Sequence, residues 1–209
     1  LHYLRPPAPG ETAQIHVAVE RAGRTLTSLS ARMVQGGRTM VLALAAFADD
    51  FPTAADYASP APDVGPPPAQ LHQVPPAPGV PEIALRTAMD PVFGPAPMSG
   101  GDEAVVGGWL RLAEPQVADA AAVAFYADAW LPSPFAVLKA PAPAPTIDLT
   151  IHFRARLPHP SMAAGDPVLA RFSSSTSHGG YFEEDGSIWA PDGTLLAQSR
   201  QLALLFPAA

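Results

Sequence analysis

An α+β fold class follows from three observations on the sequence. Two regions carry the alternation and apolar runs of β-strands, one stretch has the composition of a helix, and an Asp-Gly step near the C-terminal end marks a hairpin. The β-rich regions flank a segment dominated by Pro and Ala.

Residues 1–48 read as all-β. Ile15, Val17 and Val19 alternate with His16, Ala18 and Glu20, which predicts a half-buried strand. Thr25 to Val34 form a second β-compatible run, Gln35-Gly36-Gly37 a turn, and Thr39 to Phe47 an almost wholly apolar segment. That last segment is a strand covered on both faces or a short buried helix, and the neighbouring turn and strand favour the strand. Residues 49–100 include Gly65-Pro66-Pro67-Pro68 and Val74-Pro75-Pro76-Ala77-Pro78. Proline fixes φ and removes a donor, so a surface connector without regular structure is expected, partly in polyproline II.

In residues 101–209 the first strand is expected at Val105 to Leu112, with Gly107-Gly108 marking a bulge. Glu114 to Trp130 reads as a helix, apolar nearly all round and therefore buried, which Pro132 and Pro134 terminate. Strands follow at Thr146 to Arg156, Val168 to Ser175, Tyr181 to Ala190 and Thr194 to Phe206. The last two meet at a tight Asp192-Gly193 turn. Gln201 lies inside the final apolar run, on one pleat face with Leu195, Ala197, Ser199, Ala203 and Leu205. An unpaired buried amide costs about 1–3 kcal/mol, so Gln201 is either satisfied structurally or directed at a ligand. Glu183-Glu184-Asp185 reads as a solvated turn. The two β-rich parts echo one another: His2-Tyr3-Leu4-Arg5-Pro6 parallels His152-Phe153-Arg154-Ala155-Arg156-Leu157-Pro158. Each is followed by a small-residue loop, two strands, a Gly turn and an apolar strand, as in a tandem repeat of one β-unit.

The bulk numbers exclude several function classes. The 209 residues suffice for one large domain or two small ones with a real core, and 48% are hydrophobic. Net charge is −7 with 12 Lys+Arg and no basic cluster, which argues against a nucleic-acid partner. The absence of Cys excludes disulfide and thiol chemistry. No run of about 18 apolar residues occurs, so no membrane span is expected. The start, Leu1-His2-Tyr3-Leu4-Arg5-Pro6-Pro7, lacks a signal-peptide pattern, and a cytoplasmic location is the expectation. The six His show no metal spacing, so neither metal nor cofactor is expected.

Five motifs carry a family likeness: His2-Tyr3-Leu4-Arg5-Pro6; Gly23-Arg24-Thr25 with Ser30-Ala31-Arg32; Ala127-Asp128-Ala129-Trp130-Leu131-Pro132; Pro145-Thr146-Ile147-Asp148 with Phe153-Arg154; and the tail from Asp192-Gly193 to Gln201. In their order and spacing the chain resembles the double hotdog acyl-CoA thioesterases of the thioesterase II-like superfamily. The resemblance implies two hotdog units, each an antiparallel sheet wrapped around a long helix. It places a partial first unit at 1–48, a Pro-rich connector at 49–100 and a second unit at 101–209. Family members carry a helix before the first matching motif, so the first unit is expected to lack its N-terminal strand and helix.

The resemblance also implies an activity in lipid metabolism, the hydrolysis of acyl-CoA to free acid and CoA. A carboxylate, a hydroxyl and an amide would surround one water; the matching positions are Asp128, Thr146 and Gln201. Near a helix C-terminus and on an apolar stripe, Asp128 should have a raised pKa suited to a base. For each residue a structural role stays open: Asp128 bonding the following loop, Thr146 capping a turn, Gln201 making a cross-strand bond. Arg154, Arg156, Arg171 and Arg200 are candidates to grip CoA phosphates, or are exposed strand arginines. Ser173 to Gly180 places Ser and His together, but sequence adjacency is no triad, and a hairpin loop is the better reading. A non-catalytic acyl-CoA or acyl-carrier binding protein is the alternative. A hydratase would pair the carboxylate with a His, and none falls beside Asp128. The likeness further suggests a homo-oligomer; acyl length is not legible.

Overall fold

The computed structural model describes residues 1–73 and 86–207. The Val74 to Pro78 stretch of the expected connector lies outside them. The chain divides into two units, Leu1–Tyr57 with Thr146–Leu149, and Ala58–Pro145 with Thr150–Ala209. The strands are β1 (His2–Tyr3), β2 (Gln14–Ala22), β3 (Thr27–Gln35), β4 (Arg38–Phe47), β5 (His72–Gln73), β6 (Thr87–Phe93), β7 (Val105–Leu112), β8 (Thr146–Phe153), β9 (Val168–Ser173), β10 (Ser177–His178), β11 (Tyr181–Trp189) and β12 (Leu195–Leu204). Helix α1 spans Ala120–Tyr126, and a 3-10 turn covers Ser133–Ala136.

In the first unit the strands run in the order β2-β3-β4-β1, all antiparallel, and His2 of β1 also pairs Asp148 of β8. Gly36 and Gly37 both have positive φ, 56° and 72°, which gives the type I′ geometry of a two-residue hairpin between β3 and β4. Two expectations change here. Strand β2 is exposed along its whole length instead of half-buried, and β4 is a strand but is not covered on both faces: Leu44 is 83% exposed. Ile15, Val17 and Val19 share a pleat face with Leu29, Ala31 and Met33 of β3, and no helix among the described residues of this unit covers it.

In the second unit the order is β12-β11-β9-β7-β6-β5, with β10 on β11. The end of β8 lies beside β12, where the Arg154 N–H donates to the Leu196 carbonyl at 2.8 Å. One face of this sheet packs against α1. Val123 and Tyr126 meet Val106 and Leu110 of β7, Val168, Ala170 and Phe172 of β9, Ile188 of β11 and Ala197 of β12. Fully burying side chains of this size contributes about 1.5–3 kcal/mol each. A smaller cluster of Leu71, Ala88, Trp109, Leu169 and Trp189 forms a second apolar layer. Gly186 lets the first cluster close, because a Cβ there would stand 2.8 Å from the Phe172 ring and 2.2 Å from Ser199 Oγ.

The helix is shorter than Glu114 to Trp130 and is not the long helix expected. Asp119 caps it, its Oδ1 accepting the Ala122 N–H at 2.9 Å, and the helix ends at Ala127. Only one side of it is buried, through Ala122, Val123 and Tyr126. The region expected to lack regular structure contains β6, whose Pro91 sits beside a bulge opposite Gly107 and Gly108. There the missing N–H breaks no regular ladder. The sequence repeat is matched in topology. The order β2-β3-β4-β1 in one unit has its counterpart in β9-β11-β12-β8, built from the corresponding segments.

Candidate active site

The site is organised by the β11–β12 hairpin. Pro191 presets the turn, the Gly193 N–H donates to the Ala190 carbonyl at 2.9 Å, and Gly193 takes φ +88°. The Ala190 N–H then closes onto the Thr194 carbonyl at 2.8 Å, so the loop is one residue longer than the tight Asp192-Gly193 turn expected. A bulge between Ile188 and Trp189 absorbs the extra residue. Beyond it Glu184 stands directly opposite Gln201.

Glu183-Glu184-Asp185 is therefore strand, not a solvated turn. Alternation points Glu184 to the core side with Phe182, Gly186 and Ile188. Glu184 is 4% exposed and Gln201 7%. Gln201 Nε2 donates to Glu184 Oε1 at 2.6 Å, and the Ser133 N–H donates to Glu184 Oε2 at 2.5 Å. Asp185 faces outward and takes Arg200 Nη1 at 3.0 and 3.1 Å. Gln35, the buried amide of the first unit, differs: it bonds only backbone groups, at Ala8 and Glu11. Gln201 instead pairs with a buried acidic side chain.

Asp128 follows the α1 cap by one residue, its N–H donating to the Phe125 carbonyl at 3.1 Å. The turn places the carboxylate in a mostly dehydrated position. Burial, and then the nearby Glu184 charge, push its pKa up from 3.8 to about 6. No described residue donates a hydrogen bond to this carboxylate, so the alternative role of bonding the following loop has no support here. Burial also pushes the Glu184 carboxyl up, against the pull of its Ser133 and Gln201 donors. Asp128 and Gln201 thus both neighbour Glu184, a residue the sequence reading passed over. Thr146 opens β8 directly after Pro145, is half-buried, and is described with the first unit.

Other candidates are bound to structural work. Arg154 Nε donates to Gln198 Oε1 at 2.9 Å, and Arg200 is held by Asp185. Ser177 and His178 form the short β10 beside the Gly179-Gly180 turn, as a hairpin loop should. A different Ser, His and Asp do meet: Ser161 Oγ donates to Asp192 Oδ2 at 2.6 Å and contacts His159 Nδ1 at 2.8 Å. In a hydrolytic triad the His stands between hydroxyl and carboxylate. Here the carboxylate holds the hydroxyl proton itself, on an exposed loop, so the trio fastens the loop to the hairpin turn. No cluster of metal-ligating side chains occurs among the described residues, and no helix there is long and apolar enough to cross a membrane.

Comparison with known proteins meets this geometry. Residues 62–205 match the family model of the acyl-CoA thioesterase C-terminal domain, and residues 1–48 that of the N-terminal domain. No curated protein matches. Among solved structures, a conserved protein of unknown function with a hot dog fold from Alicyclobacillus acidocaldarius is 26% identical with TM-score 0.85, over 100% of this chain and 77% of its own. A thioesterase II candidate from Thermobifida fusca YX is 30% identical with TM-score 0.78, over 99% and 76%. The TesB protein of Mycobacterium avium subs paratuberculosis, 18% identical with TM-score 0.74 over 99% and 76%, shares the fold. The hotdog-like α+β architecture is common to them, and the span 62–205 matched by the C-terminal domain model contains Asp128 and Gln201. The chain belongs to the acyl-CoA thioesterase family.

Proposed function

We propose that this chain hydrolyses acyl-CoA thioesters by a single water positioned by Asp128, Thr146 and Gln201. The observation that carries the reading is the Asp128 carboxylate, raised to about 6 beside the buried Glu184–Gln201 pair. A base with that pKa is ionised at neutral pH yet basic enough to take a proton from water. Asp128 removes the proton as the water oxygen adds to the thioester carbonyl carbon. The tetrahedral intermediate then collapses, the C–S bond breaks, and the proton on Asp128 passes to the CoA sulfur. The products are a free acid and CoA, with no covalent acyl-enzyme. In this reading the Thr146 hydroxyl and the Gln201 amide hold the water in line.

The same reading takes the architecture as a double hotdog, with units at 1–48 and 101–209 and a connector at 49–100. It also favours a homo-oligomer. The test of the chemistry is turnover in ¹⁸O-water with a short and a long acyl-CoA. One ¹⁸O in the released acid, and no acyl group retained on the denatured protein, is the expected result. Acyl-CoA bound but returned intact would establish a binding protein instead.

A further inference from the structure

Glu184 is a carboxyl group in a core, and burial of so polar a group needs a reason. Both of its oxygens are used, and they reach in two directions. Oε1 takes Gln201 Nε2 across the β11–β12 ladder, and Oε2 takes the first N–H of the 3-10 turn, Ser133 N, five residues beyond Asp128. The first bond decides which way the Gln201 amide faces. Gln201 Nε2 is the donor in it, so the amide oxygen turns away from Glu184. The second bond ties the segment that carries Asp128 to the same strand. Other charged groups acting on the pair are Asp128 and Glu183, both acidic.

We propose that Glu184 is a positioning residue for the hydrolysis: it locks the Gln201 amide with its oxygen presented as the acceptor for the attacking water, and it anchors the Asp128 segment at a fixed distance from that amide. This rests on the hydrolase reading above. Glu184 itself touches no reacting atom, because both of its oxygens are already bonded within the protein.

The variant that tests this is Glu184→Gln. A carboxamide has one acceptor oxygen where the carboxylate has two, so it cannot take both donors. If its oxygen keeps the Ser133 N–H, its NH₂ group faces that of Gln201, and the Gln201 amide must turn over. With an acyl-CoA substrate, kcat should fall about 10–100-fold with KM little changed, as expected for a reacting group displaced by a fraction of its length. Combining E184Q with Q201A should be no slower than Q201A alone. The acid limb of kcat/KM should also move to lower pH, because the charge facing Asp128 is gone. An unchanged kcat, losses that multiply in the double variant, or an unmoved acid limb would overturn the proposal. Should E184Q not fold, the side-chain amide protons of Gln201 in the unmodified protein carry the test. They should give the single signal set of an amide held in one orientation, and averaging between two orientations would overturn it. Asp128→Asn separates the two levels: full turnover in that variant defeats the hydrolase reading, whereas its loss alongside a fully active E184Q defeats only the role of Glu184.

Discussion

Replacing Asp128 by Asn should remove activity and stabilise the protein at once. Burial moves this carboxyl from 3.8 to about 6 in the folded state. Between those values the folded chain holds a proton that the unfolded chain has released, so stability falls as pH rises through this window and stays lowered above it. One tenfold change in proton affinity corresponds to about 1.36 kcal/mol; with partial solvent screening, the ionised carboxylate costs about 2–3 kcal/mol at neutral pH. The amide is neutral and nearly isosteric, so it escapes that cost. In urea unfolding at pH 7, Asp128→Asn should gain about 2–3 kcal/mol, or roughly 4–12 °C in Tm for a chain of this size. The gain should shrink as pH drops below about 6 and vanish under pH 3.8, where both proteins are neutral at this position. A destabilised variant, or a gain of the same size at every pH, would refute the claim that Asp128 is a strained, dehydrated base.

The acid limb of kcat/KM in the unmodified protein should fall near pH 6, set by Asp128, and a limb near 4 in a pH–rate profile would contradict that. Gln201→Ala leaves Glu184 buried with one oxygen unpaired, so it should cost roughly 1–3 kcal/mol by denaturant titration, besides slowing turnover. Gly186→Ala should lose roughly 1–3 kcal/mol, since its Cβ meets Ser199 Oγ at 2.2 Å and the Phe172 ring at 2.8 Å; a variant as stable as the parent would show that the ring can yield.

Much of this was legible before the structure. The Val105 to Leu112 strand and the β-repeat follow from alternation and turn residues, while the bulge expected at Gly107-Gly108 lies in the facing strand, between Pro91 and Phe93. Burial of Gln201 follows from pleat parity alone. Glu184 was legible too, and was missed. Every pair from Tyr181↔Leu204 to Ile188↔Ala197 is centred on the Asp192-Gly193 step, so counting back from that step sets 184 opposite 201. Three consecutive acids suggested solvent, and that composition hid the alternation that turns the middle one inward. The helix end was less accessible. Alanine-rich sequence favours helix over a long window, and only the Asp119 cap and the turn after Tyr126 fix its length. Exposure of β2 depends on what covers its face, which no local pattern encodes.

The decisive measurement is thiol release from an acyl-CoA by the unmodified chain and by Asp128→Asn, with folding of both verified by circular dichroism. Release by the first protein and its collapse by several orders of magnitude in the second is the predicted result. Equal release from the two would remove Asp128 from the chemistry. No release from either, with acyl-CoA still bound, would make the chain a binding protein of this family.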